Sequence, residues 1–184
     1  MAQILDSERL VLRPWTMDDV DAALQVYGSE EVSRWLSPEM DRVLDADSMR
    51  LLLQQWIAED ERGLPPTGRW AIELRDDKRV VGGVALLYLP PGGEDLEIGF
   101  QLAPEEWGRG YATEAGMTVA HYALLEHHAE ELFAVVRPNN RRAAAAALRM
   151  GMEWTGETEK YYQLLLQVYR LRVGDLHHPF PRRD

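Results

Sequence analysis

Between Leu96 and Ala123 the apolar spacing changes from the twofold alternation of a strand to the 3.6-residue repeat of a helix, across the linker Trp107-Gly108-Arg109-Gly110. A strand that ends in a glycine-bearing loop and feeds straight into a helix is a narrow structural choice. It leaves the first-turn N–H groups unpaired at the positive end of the helix dipole, and glycine lets a ligand approach the backbone closely. A phosphate suits such a place; a helix capped after a tight turn is the plainer alternative. Two nucleotide patterns do not fit. Gly110 is followed by Tyr111-Ala112 where a P-loop needs Lys-Ser/Thr, and Thr113 stands where a dinucleotide fingerprint needs a third glycine or alanine.

The flanking sequence predicts the elements around this junction. Arg9 to Arg13 reads as a strand ended by Pro14, and Thr16 caps a helix running to about Tyr27. Ser29 opens a short helix with Trp35 on its apolar side, and Asp47-Ser48 opens a third that reaches Glu61. Trp70, Ile72 and Leu74 alternate, Asp76-Asp77-Lys78 turns the chain, and Val80 to Leu89 returns as a hairpin partner. Leu96 to Ala103, Leu132 to Val136 and Tyr161 to Val173 read as further strands, and Asn140 to Met150 as an alanine-rich helix. Ala112, Ala115 and Gly116 predict that the long helix lies close on the sheet. The order predicts a single α/β domain over residues 1–176, a mixed and mostly antiparallel twisted sheet flanked by helices, with residues 177–184 as a flexible tail.

Charge and composition narrow the function classes. The net charge is −11, from 20 basic and 31 acidic residues, so a nucleic-acid backbone would be repelled and no nucleic-acid partner is expected. Residues 17–62 hold 12 of the acids against four bases, a run that most often means a solvated acidic face. Arg137, Arg141, Arg142 and Arg149 lie in a stretch with no acid, suiting either an anion or a solvated helix face. With no cysteine, disulfides, thiolate metal sites and covalent thiol chemistry are excluded. His121, His127 and His128 match no metal-ligand spacing, so no metal is expected. The longest uncharged stretch, Val80 to Gly93, is too short and too broken by glycine and proline to cross a bilayer. No membrane association is expected, and a cytoplasmic address follows by default.

The segment Glu97-Ile98-Gly99-Phe100 through Trp107-Gly108-Arg109-Gly110-Tyr111-Ala112 resembles the GNAT superfamily of acyl-CoA N-acyltransferases, and within it the branch of ribosomal-protein N-terminal alanine acetyltransferases. The opening Arg9-Leu10-Val11-Leu12-Arg13-Pro14 and Asn140-x-x-Ala143 ahead of Met150-Gly151-Met152 are similar to the family too. Its phosphate motif matches at Gly110 and Ala112, while Trp107 stands where glutamine or arginine is usual. The resemblance implies the GNAT fold and acetyl-CoA as acyl donor. It puts the pyrophosphate on the amides from Gly108 through Arg109, Gly110, Tyr111 and Ala112 to Thr113, and the pantetheine arm on the strand around Leu102 and on Asn140. Residue type alone favours a helix N-cap for Asn140, a preference that the motif context reverses.

Direct transfer needs an unprotonated amine, a polarised thioester carbonyl and a proton donor for the thiolate. The resemblance offers Glu97 as the base; an amine-binding or structural carboxylate is the alternative. The tyrosine that many relatives carry seven residues after the asparagine is Ala147 here. Tyr161 and Tyr162 are the candidate acids in its place. Glu31 and Trp35, on the early helices, are candidates for holding the acceptor. That acceptor is expected to be an amine-bearing small molecule or a protein N-terminus, and a homodimer stays open. A non-catalytic acyl-CoA sensor and a module binding a dinucleotide such as NAD are the competing readings.

Overall fold

The alternating segment around Trp70 lies inside an eight-stranded sheet in the computed structural model, which describes residues 3–176. The tail expected to be flexible, residues 177–184, lies outside them. In chain order the elements are β1 (Leu5–Asp6), β2 (Leu10–Pro14), α1 (Val20–Tyr27), α2 (Glu30–Ser33), α3 (Ala46–Arg62), β3 (Gly68–Leu74), β4 (Val80–Tyr88) and β5 (Leu96–Leu102). Then come α4 (Tyr111–His121), β6 (Glu131–Val136), α5 (Arg141–Arg149), β7 (Glu153–Thr158) and β8 (Leu166–Arg172). The spatial order is β1-β2-β3-β4-β5-β6-β8-β7, antiparallel throughout except between β5 and β6.

Apolar alternation on the central strands buries both faces. On one, Leu12, Trp70, Ile72, Leu86 and Ile98 pack with Val119 of α4 and with Leu124, in the π-helical turn that continues it. Trp70 is fully buried, and its Nε1 donates to the Gln3 carbonyl at 2.7 Å, so no polar atom of the indole is stranded. On the other face, Trp15, Tyr27, Met49, Leu53 and Trp56 bring α1 and α3 onto Ala71. Arg13 ties this layer to the sheet. Its guanidinium bonds both oxygens of the buried Asp19, at 2.8 and 2.9 Å, and Glu73 at 2.6 Å. Asp19 in turn accepts from the Thr16 N–H and hydroxyl, which satisfies the N–H that precedes the helical turn.

Three features depart from the sequence expectation. β8 begins at Leu166 and not at Tyr161, because Tyr162 and Gln163 both sit at φ 54°, a left-handed backbone that no strand can propagate. β7 was not anticipated, since its residues are mostly exposed and show no alternation. Gly116 serves α5 rather than the sheet: a Cβ there would lie 2.6 Å from Met150 Sδ. Among the described residues no helix is long and apolar enough to cross a membrane.

Candidate active site

β5 and β6 meet as parallel neighbours at one pair, Glu97 with Phe133, and then separate. The side of β5 that faces the split follows from its ladder with β4. Ala103 donates to the Val81 carbonyl at 2.9 Å and Leu89 to the Asp95 carbonyl at 2.8 Å, so the odd-numbered residues bond β4. Alternation in an antiparallel ladder therefore turns the N–H and C=O groups of Phe100 and Leu102 toward the split. The Leu102 carbonyl is taken by Trp107 Nε1 at 3.0 Å, which fastens the following loop to the strand end. A cleft of about 810 Å³ runs along this opening.

One end of the cleft is the glycine loop. Gly110 is the N-cap of α4 at φ 83°, Gly108 has φ 78°, and a Cβ on Gly108 would meet nothing within 4 Å. The first backbone bond of α4 runs from the Glu114 N–H to the Gly110 carbonyl, which leaves the N–H groups of Tyr111, Ala112 and Thr113 unpaired within the helix. All three residues line the cleft, together with Trp107, Gly108 and Gly110. Arg109 does not; it faces Glu106 at 3.5 Å. Arg137, Arg142 and Arg149 also line the cleft and Arg141 does not; the Arg142 guanidinium stands 3.4 Å above the Trp107 ring, while Arg137 Nη2 donates to the Leu36 carbonyl at 3.2 Å. Backbone donors, a helix N-terminus and the Arg142 guanidinium beside them suit an anion.

Glu114, an acid in the first turn of this helix, is kept from opposing that anion. Its carboxylate is nearly buried and accepts from the Ser7 hydroxyl, the Arg9 N–H and Arg9 Nε, each at 2.7 Å. Arg9 also donates to the Arg109 carbonyl at 2.9 Å, so the N-terminal segment braces the loop. Sequence reasoning missed this pair, whose members lie more than 100 residues apart along the chain and leave no local signal.

Glu97 lines the cleft where the split begins. Burial pushes its carboxyl up to about 7, against hydrogen bonds from the Tyr162 hydroxyl and the Val135 N–H that favour the charged form. Burial, with the Glu97 and Glu39 charges nearby, pushes Tyr162 up to about 12, so this hydroxyl is protonated at neutral pH. Ser37 bonds the same hydroxyl, an element with no signal in the sequence. Tyr161 turns its hydroxyl away from Glu97: it donates to Asp95 at 2.7 Å, and Tyr161 packs with Leu89, Leu166 and Val168 without itself lining the cleft. Asn140 lines the cleft and also caps α5, accepting from the Ala143 N–H at 3.2 Å, so the two sequence readings of this residue are compatible. Trp35 lines the cleft, and Glu31 is exposed away from it. Among the described residues no group of three or more acids or histidines is arranged to hold a metal ion.

The family model described as an acetyltransferase (GNAT) domain matches residues 9–153. The uncharacterized N-acetyltransferase YoaA of Bacillus subtilis is 31% identical over 164 residues, covering 88% of this chain and 89% of that protein. The acetyltransferase from Agrobacterium tumefaciens has a similar structure, with TM-score 0.76 and 26% identity over 94% of this chain and 95% of that one. Mycobacterium smegmatis RimJ in complex with CoA-disulfide superposes with TM-score 0.79, at 20% identity over 96% of this chain and 90% of that one, a likeness of fold. The domain match spans the glycine loop, the split strands and Asn140, and with the B. subtilis relative it makes this chain a GNAT-family acetyltransferase.

Proposed function

We propose that the protein transfers an acetyl group from acetyl-CoA directly to a primary amine, with Glu97 as general base. The observation that carries this reading is one cleft that joins a loop suited to an anion to a half-buried carboxyl whose pKa is pushed up to about 7. The residues present fit the donor. The first-turn amides of α4 and the guanidinium groups of Arg142 and Arg149 suit its phosphates, and the N–H and C=O of Phe100 with the N–H of Leu102 suit a pantetheine arm. The CoA-disulfide complex of RimJ, which shares the fold, supports the same use of the cleft.

Acetyl-CoA supplies an activated thioester. In the transfer an N–C bond forms as the C–S bond breaks; the amine proton passes to Glu97, and the departing sulfur takes a proton from Tyr162. Glu97 is suited to its part because a base with a pKa near the working pH is substantially ionised and still basic. An amide N–H of Phe100 or Leu102 polarises the carbonyl. Tyr162 replaces the tyrosine that Ala147 cannot supply. Its place beside Glu97 favours an enzyme over a sensor, since a binding module has no use for a half-buried acid beside a half-buried base.

The test is a thermal-shift screen coupled to CoA release. Acetyl-CoA should raise the melting temperature, since a ligand that binds only the native state stabilises it. CoA should then be released with at least one member of a panel of primary amines and peptides. Stabilisation by NAD but not by acetyl-CoA, or binding without release for every acceptor, would overturn the reading.

A further inference from the structure

Gly99 lies in the middle of a central strand with open space above it. A Cβ built there would meet no atom within 4 Å, while at Gly83 it would lie 2.4 Å from Tyr27 Oη. Strand register shows what surrounds this opening. Arg69, Ala85 and Gly99 form one row across β3, β4 and β5; Ala71, Gly83 and Gln101 form the next row, and Leu87 with Glu97 the row on the other side. Alternate residues share a face, so all three rows face α1 and α3.

The opening is fenced on three sides. At one end Tyr27 stands over Gly83, its hydroxyl 3.5 Å from Gln101 Oε1. On the β3 side Trp56 stands over the Arg69 row, with the guanidinium 5.8 Å from its ring centre, and Tyr27 meets Trp56 edge to face at 5.1 Å. Glu97 closes the other end. Gln101 lies four strand steps from Glu97, about 13 Å at roughly 3.3 Å per step, with only Ala85 and Gly99 as the floor between. Arg69 adds no free positive charge, being paired with Glu59 at 2.8 Å and Asp60 at 2.9 Å.

We infer that the acceptor is a primary amine carrying a flat apolar body, with its nitrogen at Glu97 and its body over Gly99 against Tyr27 and Trp56, and that Gly99 sets the size of the body admitted. This rests on the acetyltransferase reading of the same site. A small floor with aromatic walls favours a ring, which can lie flat on Gly99 and meet Trp56 or Tyr27 edge to face. A hydroxyl-rich body would leave polar groups unpaired there. The acids around the opening attract the amine as a cation, which loses one proton to solvent before its neutral form gives the next to Glu97 in the transfer.

The experiment compares acetylation of 2-phenylethylamine, n-butylamine and an alanine-initiated hexapeptide by the wild type, Gly99→Ala and Gly99→Leu. Wild type should favour 2-phenylethylamine over n-butylamine in kcat/KM by at least about tenfold, the scale of one or two well-packed carbon groups. Gly99→Leu should erase that preference and Gly99→Ala should reduce it, both retaining stabilisation by acetyl-CoA. Neither replacement strains the backbone, because Gly99 is not left-handed. Equal wild-type turnover of the two amines, a preference for the peptide, or a Gly99→Leu effect equal for both amines would overturn the inference while leaving the acetyltransferase reading in place. No turnover of any acceptor would overturn both.

Discussion

Glu97→Gln is expected to lower kcat by roughly 10²–10⁴ and to remove the acidic limb of the pH–rate profile, with acetyl-CoA affinity little changed. In the wild type that limb should lie near pH 7, where burial holds the carboxyl, and the rate should rise as pH increases through it because the ionised form is the base. Tyr162→Phe should move the limb to higher pH, since it removes a hydrogen bond that favours the charged form. Stability provides a separate check. A carboxyl whose folded pKa is raised holds its proton more tightly than in the unfolded chain, so its contribution to stability falls as pH rises from the unfolded value through about 7. At pH 8 Glu97→Gln should therefore melt no lower than the wild type. A normal kcat with a raised KM for the amine would make Glu97 a binding carboxylate instead, and a wild-type pH profile would reject both roles.

Gly110→Glu is expected to abolish stabilisation by acetyl-CoA, an effect worth about 2.7 kcal/mol when the ligand is present at 100 times its Kd. Gly110 has φ 83°, its Cβ would sit 3.3 Å from Arg9 Nη2, and the added carboxylate would stand at the helix terminus where phosphate is expected. Backbone strain and charge are separable. Gly110→Ala shares the left-handed strain, about 1–2 kcal/mol, but brings no charge. It should melt lower than the wild type yet still respond to acetyl-CoA. A full shift with acetyl-CoA in Gly110→Glu would remove the loop from the donor site.

The strand, glycine loop and helix from Leu96 to His121 were legible in the sequence because each part is written in local chemistry: alternation, two glycines at positive φ, then a helical repeat. The hairpin of β3 and β4 and the cap at Asn140 were legible for the same reason. The family pattern pointed to Glu97, but a pattern carries no pKa. What raised this carboxyl and paired it with Tyr162 is the junction of β5, β6 and the loop before β8, segments separated by more than twenty residues along the chain. Sequence gave Tyr161 and Tyr162 equal standing, and only folding turned one hydroxyl to Asp95 and the other to Glu97. The bracing of Glu114 by Ser7 and Arg9, and the opening over Gly99, were likewise decided by tertiary structure. Local preference fixes how each segment turns, but a site's electrostatics depend on which distant groups share its low-dielectric surroundings, and packing alone determines that.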